Sequence, residues 1–404
     1  MAGTGITYTL EVAWGGSLEG LFRINVSTVD GTDVIAGWPD DVGFEDVTGD
    51  TVGFATSRGR SNDKTQMLAG TATIRLRDQS GLYNPANTGS SLYPNVKPFR
   101  PVRIKATYSG TTYGLFYGFL TSIGSSADPD SPVTTLECAD LFSWLTLRKP
   151  TISATSTTTT GAAIGVILDE VEWPASLRSL DTGDTIPDFS ADGTKTCLSL
   201  INDLLQSEMG LFYMDGSGVA TFDNRNARYA SVATSADIDG ASDTLMGFQS
   251  SNNISTIYNA ASVTMTGSTA QTATDTDSIN AFGRRDMGGL TTPYVSTDAA
   301  AQARANLRVV RYKDPKNPAS AAMVSSDTTT PSMLGSEIGW RVRMTEPFGG
   351  TDNKDFFVES ISHSSEASAG VQRHLTEWGL SEVPAAAGIP VIIDLTGIGN
   401  YIGL

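Results

Sequence analysis

The chain predicts a mainly β protein with small α+β insertions, and three observations carry that expectation. Glycine supplies 41 of 404 residues, about 10% against a typical ~7%, and Thr, Ser and Asn are also abundant. Charged residues are 18% of the chain, below the roughly 25% of an average soluble protein. Apolar residues recur at every second position in several short runs, the period of a strand with one buried face. At 404 residues roughly two to four domains of ordinary size are expected.

Taken in order, residues 70–77 put Ala72, Ile74 and Leu76 on one face and Thr71, Thr73, Arg75 and Arg77 on the other, a half-buried strand. Asp78 to Gly81 turns the chain, and a loop runs to Pro101. A second strand alternates Val102, Ile104 and Ala106 with Arg103, Lys105 and Thr107. Ser109-Gly110 makes a tight turn into Tyr113–Leu120, which is apolar on both faces and so central in a sheet. Strands at this spacing suggest a barrel or sandwich. Ala139 to Leu147 reads as one or two helical turns, and the Thr- and Ser-rich 151–160 as a linker or exposed loop.

A helix is predicted over 194–209, where Cys197, Leu198, Leu200, Ile201, Leu204 and Leu205 repeat at three- and four-residue spacing and Gly210 stops it. A hairpin follows, 211–214 and 219–222 around Asp215-Gly-Ser-Gly218. Further on, a strand is expected within 254–265 and an alanine-rich helix over about 297–312. A closing meander is expected at 340–344, 356–361 and 373–380.

Charge is unevenly placed. The whole chain carries 44 acidic and 27 basic side chains, a formal net charge of −17. That balance argues against a groove gripping nucleic acid by neutralising phosphates, and it is compatible with a conduit through which DNA slides without sticking. Residues 1–57 hold nine acids and only Arg23, whereas 58–105 hold nine bases against Asp63 and Asp78. Such neighbouring segments can pair within one domain or across a subunit boundary, or simply be solvated strand faces.

The chemistry is sparse. Cys138 and Cys197 read as small buried apolar residues, since two cysteines outside a CxxC pair make no disulfide framework. His363 and His374 read as surface or sheet residues. No zinc, calcium, nucleotide or serine-nucleophile motif occurs, so no catalytic, cofactor-binding or metal-ligating residues are predicted. Asp40, Asp41, Glu45 and Asp46 could in principle supply the paired carboxylates of a glycosidase, but clustered acids in a polar loop are ordinarily just solvated. The N-terminus has no basic n-region or apolar core, and the apolar stretch 389–404 is broken by Pro390, Asp394 and three glycines. The expectation is a soluble protein made without a cleaved export signal and with no membrane span.

Several segments resemble one family in the same order along the chain. They are Ser57-Arg-Gly-Arg60, Ala69-Gly-Thr-Ala-Thr-Ile-Arg-Leu-Arg-Asp78, Gly81-Leu-Tyr-Asn-Pro85, Lys97-Pro-Phe-Arg-Pro-Val-Arg-Ile104 and Leu115-Phe-Tyr-Gly-Phe-Leu-Thr-Ser122. The helix and hairpin at 194–228 follow, then Ile257-Tyr-Asn259, Phe282-Gly-Arg284, Arg311-Tyr312, Glu337-Ile-Gly339 and Phe357-Val358. Together these resemble the tail hub (minor tail, baseplate hub) proteins of long-tailed bacteriophages. Residues 1–50 and those after Pro384 match nothing in that pattern, and Pro98-Phe99 stands where the family has Pro-Gly.

The resemblance implies a non-enzymatic homotrimer in which each subunit gives two tube-forming β-barrels and peripheral helix–hairpin domains to a pseudo-hexameric ring at the distal end of the tail. It implies a first barrel at 1–150, a small α+β domain at 151–245, and a second barrel at 246–384 interrupted by a helical segment near 283–334. Residues 385–404 would be a tail that docks on a partner. Implied partners are the distal tail or tube ring protein, the tape measure protein, and tip, spike or receptor-binding proteins, with DNA crossing the lumen unbound. Asp40, Asp41 and Asp46 are its candidate lumen acids, and the virion is the expected location after synthesis in the host cytoplasm. The alternative is a carbohydrate-binding or wall-degrading tail-tip protein that contacts the host envelope.

Overall fold

The computed structural model describes residues 5–15, 43–64, 66–126, 132–230, 234–240, 245–251, 254–316, 318–326, 329–346, 351–368 and 371–384. The first third is strand: β1 (Thr7–Val12), β2 (Glu45–Asp46), β3 (Thr51–Gly59), β4 (Leu68–Arg77), β5 (Pro101–Tyr108), β6 (Thr111–Ser126) and β7 (Val133–Ala139). Helix α1 (Leu141–Leu145) leads into β8 (Thr151–Thr159), α2 (Thr160–Glu170), β9 (Arg178–Leu180), β10 (Thr185–Asp192) and α3 (Cys197–Glu208). Next come β11 (Leu211–Met214), β12 (Ala220–Asp223), α4 (Ala227–Ala230), β13 (Ala236–Asp239) and β14 (Leu245–Ser250). A small unit holds β15 (Ala260–Met265), β16 (Gln271–Thr274), α5 (Thr276–Phe282), β17 (Leu290–Thr292) and α6 (Asp298–Tyr312). The chain closes with β18 (Pro318–Val324), α7 (Thr330–Gly335), β19 (Arg341–Glu346), β20 (Thr351–Ser368) and β21 (Val371–Glu382).

One 13-stranded sheet organises the molecule, in the order β14-β18-β21-β20-β3-β4-β7-β6-β5-β1-β2, with β19 on β20 and β13 on β19 as a branch. Among the described residues this pairing does not close into a barrel. The N-terminal and C-terminal strands belong to the same sheet because β3 pairs antiparallel with β20, Gly59 opposite Ser360 and Gly53 opposite Glu366. The alternation of residues 70–77 and 102–106 appears as read: Ala72, Ile74, Leu76, Val102, Ile104 and Ala106 are all buried. Leu115 to Leu120 is buried on both faces of β6. The β5–β6 hairpin turns through Ser109 (φ 48°) and Gly110 (φ 82°), two successive left-handed residues that match the twist of the strands.

Two large cores result. One gathers β1 and β3–β7 around Trp14, Phe116 and Leu136. The other packs α1, α2 and α3 with β11, β12 and the C-terminal strands around Phe212, Phe356 and Trp378.

Three local expectations need correction. Residues 151–159 form β8, paired with β10, because β-branched threonines suit a pleated strand even where their polarity suggests a loop. Helix α3 starts later than read, capped by the Thr196 hydroxyl accepting from the Ser199 amide at 3.2 Å. Met209 (φ 62°), not Gly210, takes the left-handed position that ends it. Gly210 serves close packing, since a Cβ there would stand 2.6 Å from the Asp223 carbonyl oxygen. Finally, the strand expected within 254–265 begins only at Ala260. Residues 385–404 lie outside the described residues.

Helix α2 begins against the β9–α3 side of the molecule, where a Cβ on Gly161 would collide with the Asp181 carbonyl oxygen. Overpacking of this kind usually costs about 1–3 kcal/mol. Gly161→Ala is therefore expected to lower the urea midpoint, whereas Gly124→Ala, with open space around it, should leave it unchanged or slightly higher.

Candidate functional site

Of the four acids that might have formed a hydrolytic pair, two are among the described residues. Glu45 and Asp46 lie exposed on β2, and Asp46 Oδ1 accepts from the Thr48 amide at 2.8 Å. Asp40 and Asp41 lie outside the described residues. Cys138 and Cys197 are buried free thiols, as expected, and burial pushes the Cys197 thiol up to about 11. Among the described residues no group of three or more His, Cys, Asp or Glu is placed to hold a metal ion. No helix there is long and apolar enough to cross a membrane.

The two histidines are sheet residues, on β20 and β21, and they meet inside the protein. His363 Nδ1 lies 3.2 Å from His374 Nε2, and the Thr376 hydroxyl is 3.1 Å from each. Tyr8 of β1 approaches His374 Nδ1 at 2.9 Å from the far end of the chain. With 2% and 0% exposure neither imidazole can reach a substrate, so the pair is a structural joint. Burial holds both neutral: it lowers His374 to about 4 and, with His374 beside it, His363 well below the ordinary value.

Charged joints tie the rest together. Arg58 of β3 is buried and donates to Glu337 at 2.9 and 3.1 Å and to the Met214 carbonyl at 3.0 Å. Glu337 also accepts from the Gly216 amide at 3.0 Å, so one ion pair fixes β3 to the β11–β12 turn. Glu359 of β20 is 1% exposed and sits between Arg60 (2.7 Å) and Arg228 (2.5 Å), with the Ser381 hydroxyl at 2.5 Å. Burial would raise its carboxyl, but Arg228 and Arg60 outweigh that and hold it at about 2. Asp184 receives Arg225 at 2.5 Å and also Arg304 of α6. Glu11 of β1 pairs with Arg103 (2.5 Å) and Lys105 (3.5 Å) on β5. The acidic and basic N-terminal segments thus pair in part with each other within one subunit, while Arg58 and Arg60 find C-terminal partners.

Beside the Glu359 joint is a cavity of about 190 Å3 between α3, the β11–β12 hairpin and α6, with Arg60, Lys64, Arg225, Arg228 and Arg311 on its wall.

No protein-family model matches the chain, and no curated protein matches it by sequence. Solved structures do match in fold. A tail protein from Neisseria meningitidis MC58 superposes with a TM-score of 0.60 at 12% identity, over 93% of this chain and 96% of that one. The 43 kDa tail protein of prophage MuSo2 from Shewanella oneidensis gives 0.57 at 13% identity over the same shares. A chain of the Francisella PdpA–VgrG complex gives 0.51 at 12% identity, over 93% of this chain and 52% of that one. The chain has the fold of these tail proteins.

In this tail-protein fold two segments of the family resemblance, Ser57-Arg-Gly-Arg60 and Glu337-Ile-Gly339, turn out to be halves of one contact, the Arg58–Glu337 pair. Sequence reasoning missed Glu359 and Arg228, and marked Arg311 only as part of the family resemblance. Each sits on an ordinary-looking strand or helix, and only their long-range convergence marks them.

Two outcomes are expected. Because the unfolded histidines bind protons near pH 6.5 and the folded ones do not, stability is complete above that value. It falls as pH drops toward 4, by about 3 kcal/mol from His374 alone. Urea titrations at pH 7 and 4.5 should show a smaller difference for His374→Gln than for the natural chain. Separately, Glu359→Gln leaves Arg60 and Arg228 buried without their counter-charge, a loss on the order of 3–5 kcal/mol, measurable as a fall in the urea midpoint at pH 7.

Proposed function

We propose that the chain is a non-enzymatic structural protein of a phage-type tail, acting as the hub that joins the tail tube to the tip. The observation that carries this reading is the likeness in fold along nearly the whole length of both partners, 93% of this chain and 96% of the Neisseria tail protein. The acidic charge of −17 supports a lumen that does not trap DNA during ejection.

In this reading residues 1–150 and 246–384 are the two tube-forming units, 151–245 is peripheral, and three copies complete a pseudo-hexameric ring in the distal virion tail. Strands β14 and β2, which end the sheet among the described residues, offer edges to neighbouring subunits. Distal tube and tape measure proteins would lie on one side, and tip, spike or receptor-binding proteins on the other, with 385–404 reaching toward them. Of the acids of the carbohydrate-active alternative, Glu45 and Asp46 are exposed on β2, and Asp40 and Asp41 lie outside the described residues.

Light scattering with negative-stain imaging of the purified chain tests the proposal. A mass near three times 42.6 kDa, with rings around a central hole, is the expected result. A monomer that also fails to enter tails when supplied with tube and tape measure proteins would overturn it.

A further inference from the structure

The wall of the cavity beside Glu359 carries more cationic side chains (Arg60, Lys64, Arg225, Arg228 and Arg311) than carboxylates (Asp63 and Asp223). Arg60 and Arg228 both pair with Glu359, and Arg225 pairs with Asp184 and Glu208. Lys64 and Arg311 differ. Among the described residues neither makes an ion pair. Arg311 donates to the Met209 and Arg225 carbonyls at 3.3 and 2.9 Å, lies 5.0 Å over the Tyr229 ring, and keeps its Nε buried with no hydrogen-bond partner. Lys64 Nζ reaches the Ser255 carbonyl at 3.2 Å and stands 4.7 Å from the Tyr258 ring. Burial makes Lys64 harder to charge, the adjoining Asp63 helps, and Lys316 and Arg285 oppose it. Asp63 is itself held by Lys316 at 2.8 Å. The other acid on the wall, Asp223, is raised to about 6 by burial and by Asp181.

At about 190 Å3 the cavity is smaller than the ~300–1,000 Å3 of ordinary ligand pockets, a size for a side chain and not for a cofactor. Gln66, Asn202 and Gln206 also line a second hollow along α3, where Thr196, Leu198, Ser199 and Asp203 continue the lining, with Asp203 held by Lys195 at 2.6 Å. Side-chain amides both donate and accept, which suits a peptide main chain. A cationic cavity beside a polar groove has the chemistry to take an extended segment that carries an acid.

We propose that this groove and cavity bind an acidic peptide segment of a partner polypeptide, with one carboxylate seated in the cavity beside Lys64 and Arg311 and the peptide backbone running over Asn202 and Gln206. The inference stands on the cavity's own chemistry and is independent of the tail reading, so either can fail without the other. On a chain of charge −17 an acidic peptide is repelled overall, and attraction has to come from a local site.

Fluorescence anisotropy of labelled hexaglutamate with the full chain tests it, with hexalysine and a single-stranded oligonucleotide as comparison probes. Saturable binding of hexaglutamate is expected, weakened at least tenfold by Lys64→Gln or Arg311→Gln and largely restored in Arg311→Lys. Arg284→Gln, at an exposed surface pair with Asp286, should leave it unchanged. Circular dichroism verifies the fold of each variant, and Lys64, which is only half-buried, keeps the test decisive if Arg311→Gln fails to fold. No binding of hexaglutamate, equal loss in Arg284→Gln, or tighter binding of the oligonucleotide would overturn the proposal.

Discussion

Glu359 is the point at which the two ends of the chain are joined. It lies on β20, which pairs with β3, β19 and β21. Arg60, just past the end of β3, and Arg228 of α4 close on its carboxylate from two directions. Removing an ion of this kind from water costs several kcal/mol, which only good geometry with additional hydrogen bonds offsets. Here two guanidinium groups and the Ser381 hydroxyl supply them. The arrangement also fixes register. A one-residue slip between β3 and β20 would turn every side chain to the opposite face, leave Glu359 without its partners, and move Gly59 from the Glu359 carbonyl oxygen, where a Cβ would not fit.

The other joints reinforce the same union. Arg58 carries β3 onto the hairpin unit through Glu337, and Tyr8 carries β1 onto β21 through His374. These contacts are ionic or hydrogen-bonded, buried or partly buried, and made between residues more than 270 positions apart. Apolar packing alone would hold such surfaces together, whereas charged and hydrogen-bonded contacts allow few alternative alignments. The joint at the histidines is also one that acid loosens, because both imidazoles are kept neutral by burial.

Charge in this molecule has a different sign at different places. The chain as a whole is acidic, yet arginines gather where the hairpin unit, α6 and the end of β3 come together. Most are neutralised by Glu359, Asp184 and Glu208, and the small cationic surplus falls at Lys64 and Arg311. That surplus is what distinguishes the proposed docking point from another internal joint.

The sequence by itself determined the local pieces. Alternation at Ala72, Ile74 and Leu76 or Val102, Ile104 and Ala106, the three- and four-residue spacing of α3, and the Ser109-Gly110 turn are properties of neighbours along the chain, set by backbone geometry within a few residues. It misled at 151–159, where threonine's polarity outweighed its β-branched shape. The tertiary structure alone decided that β3 lies against β20, that Arg58 meets Glu337, that Glu359 lies between two arginines, and that a cationic cavity remains beside them. Those outcomes depend on which strands pair across hundreds of residues, and no local pattern encodes them, because each partner looks like an ordinary surface charge until the sheet brings it to the other.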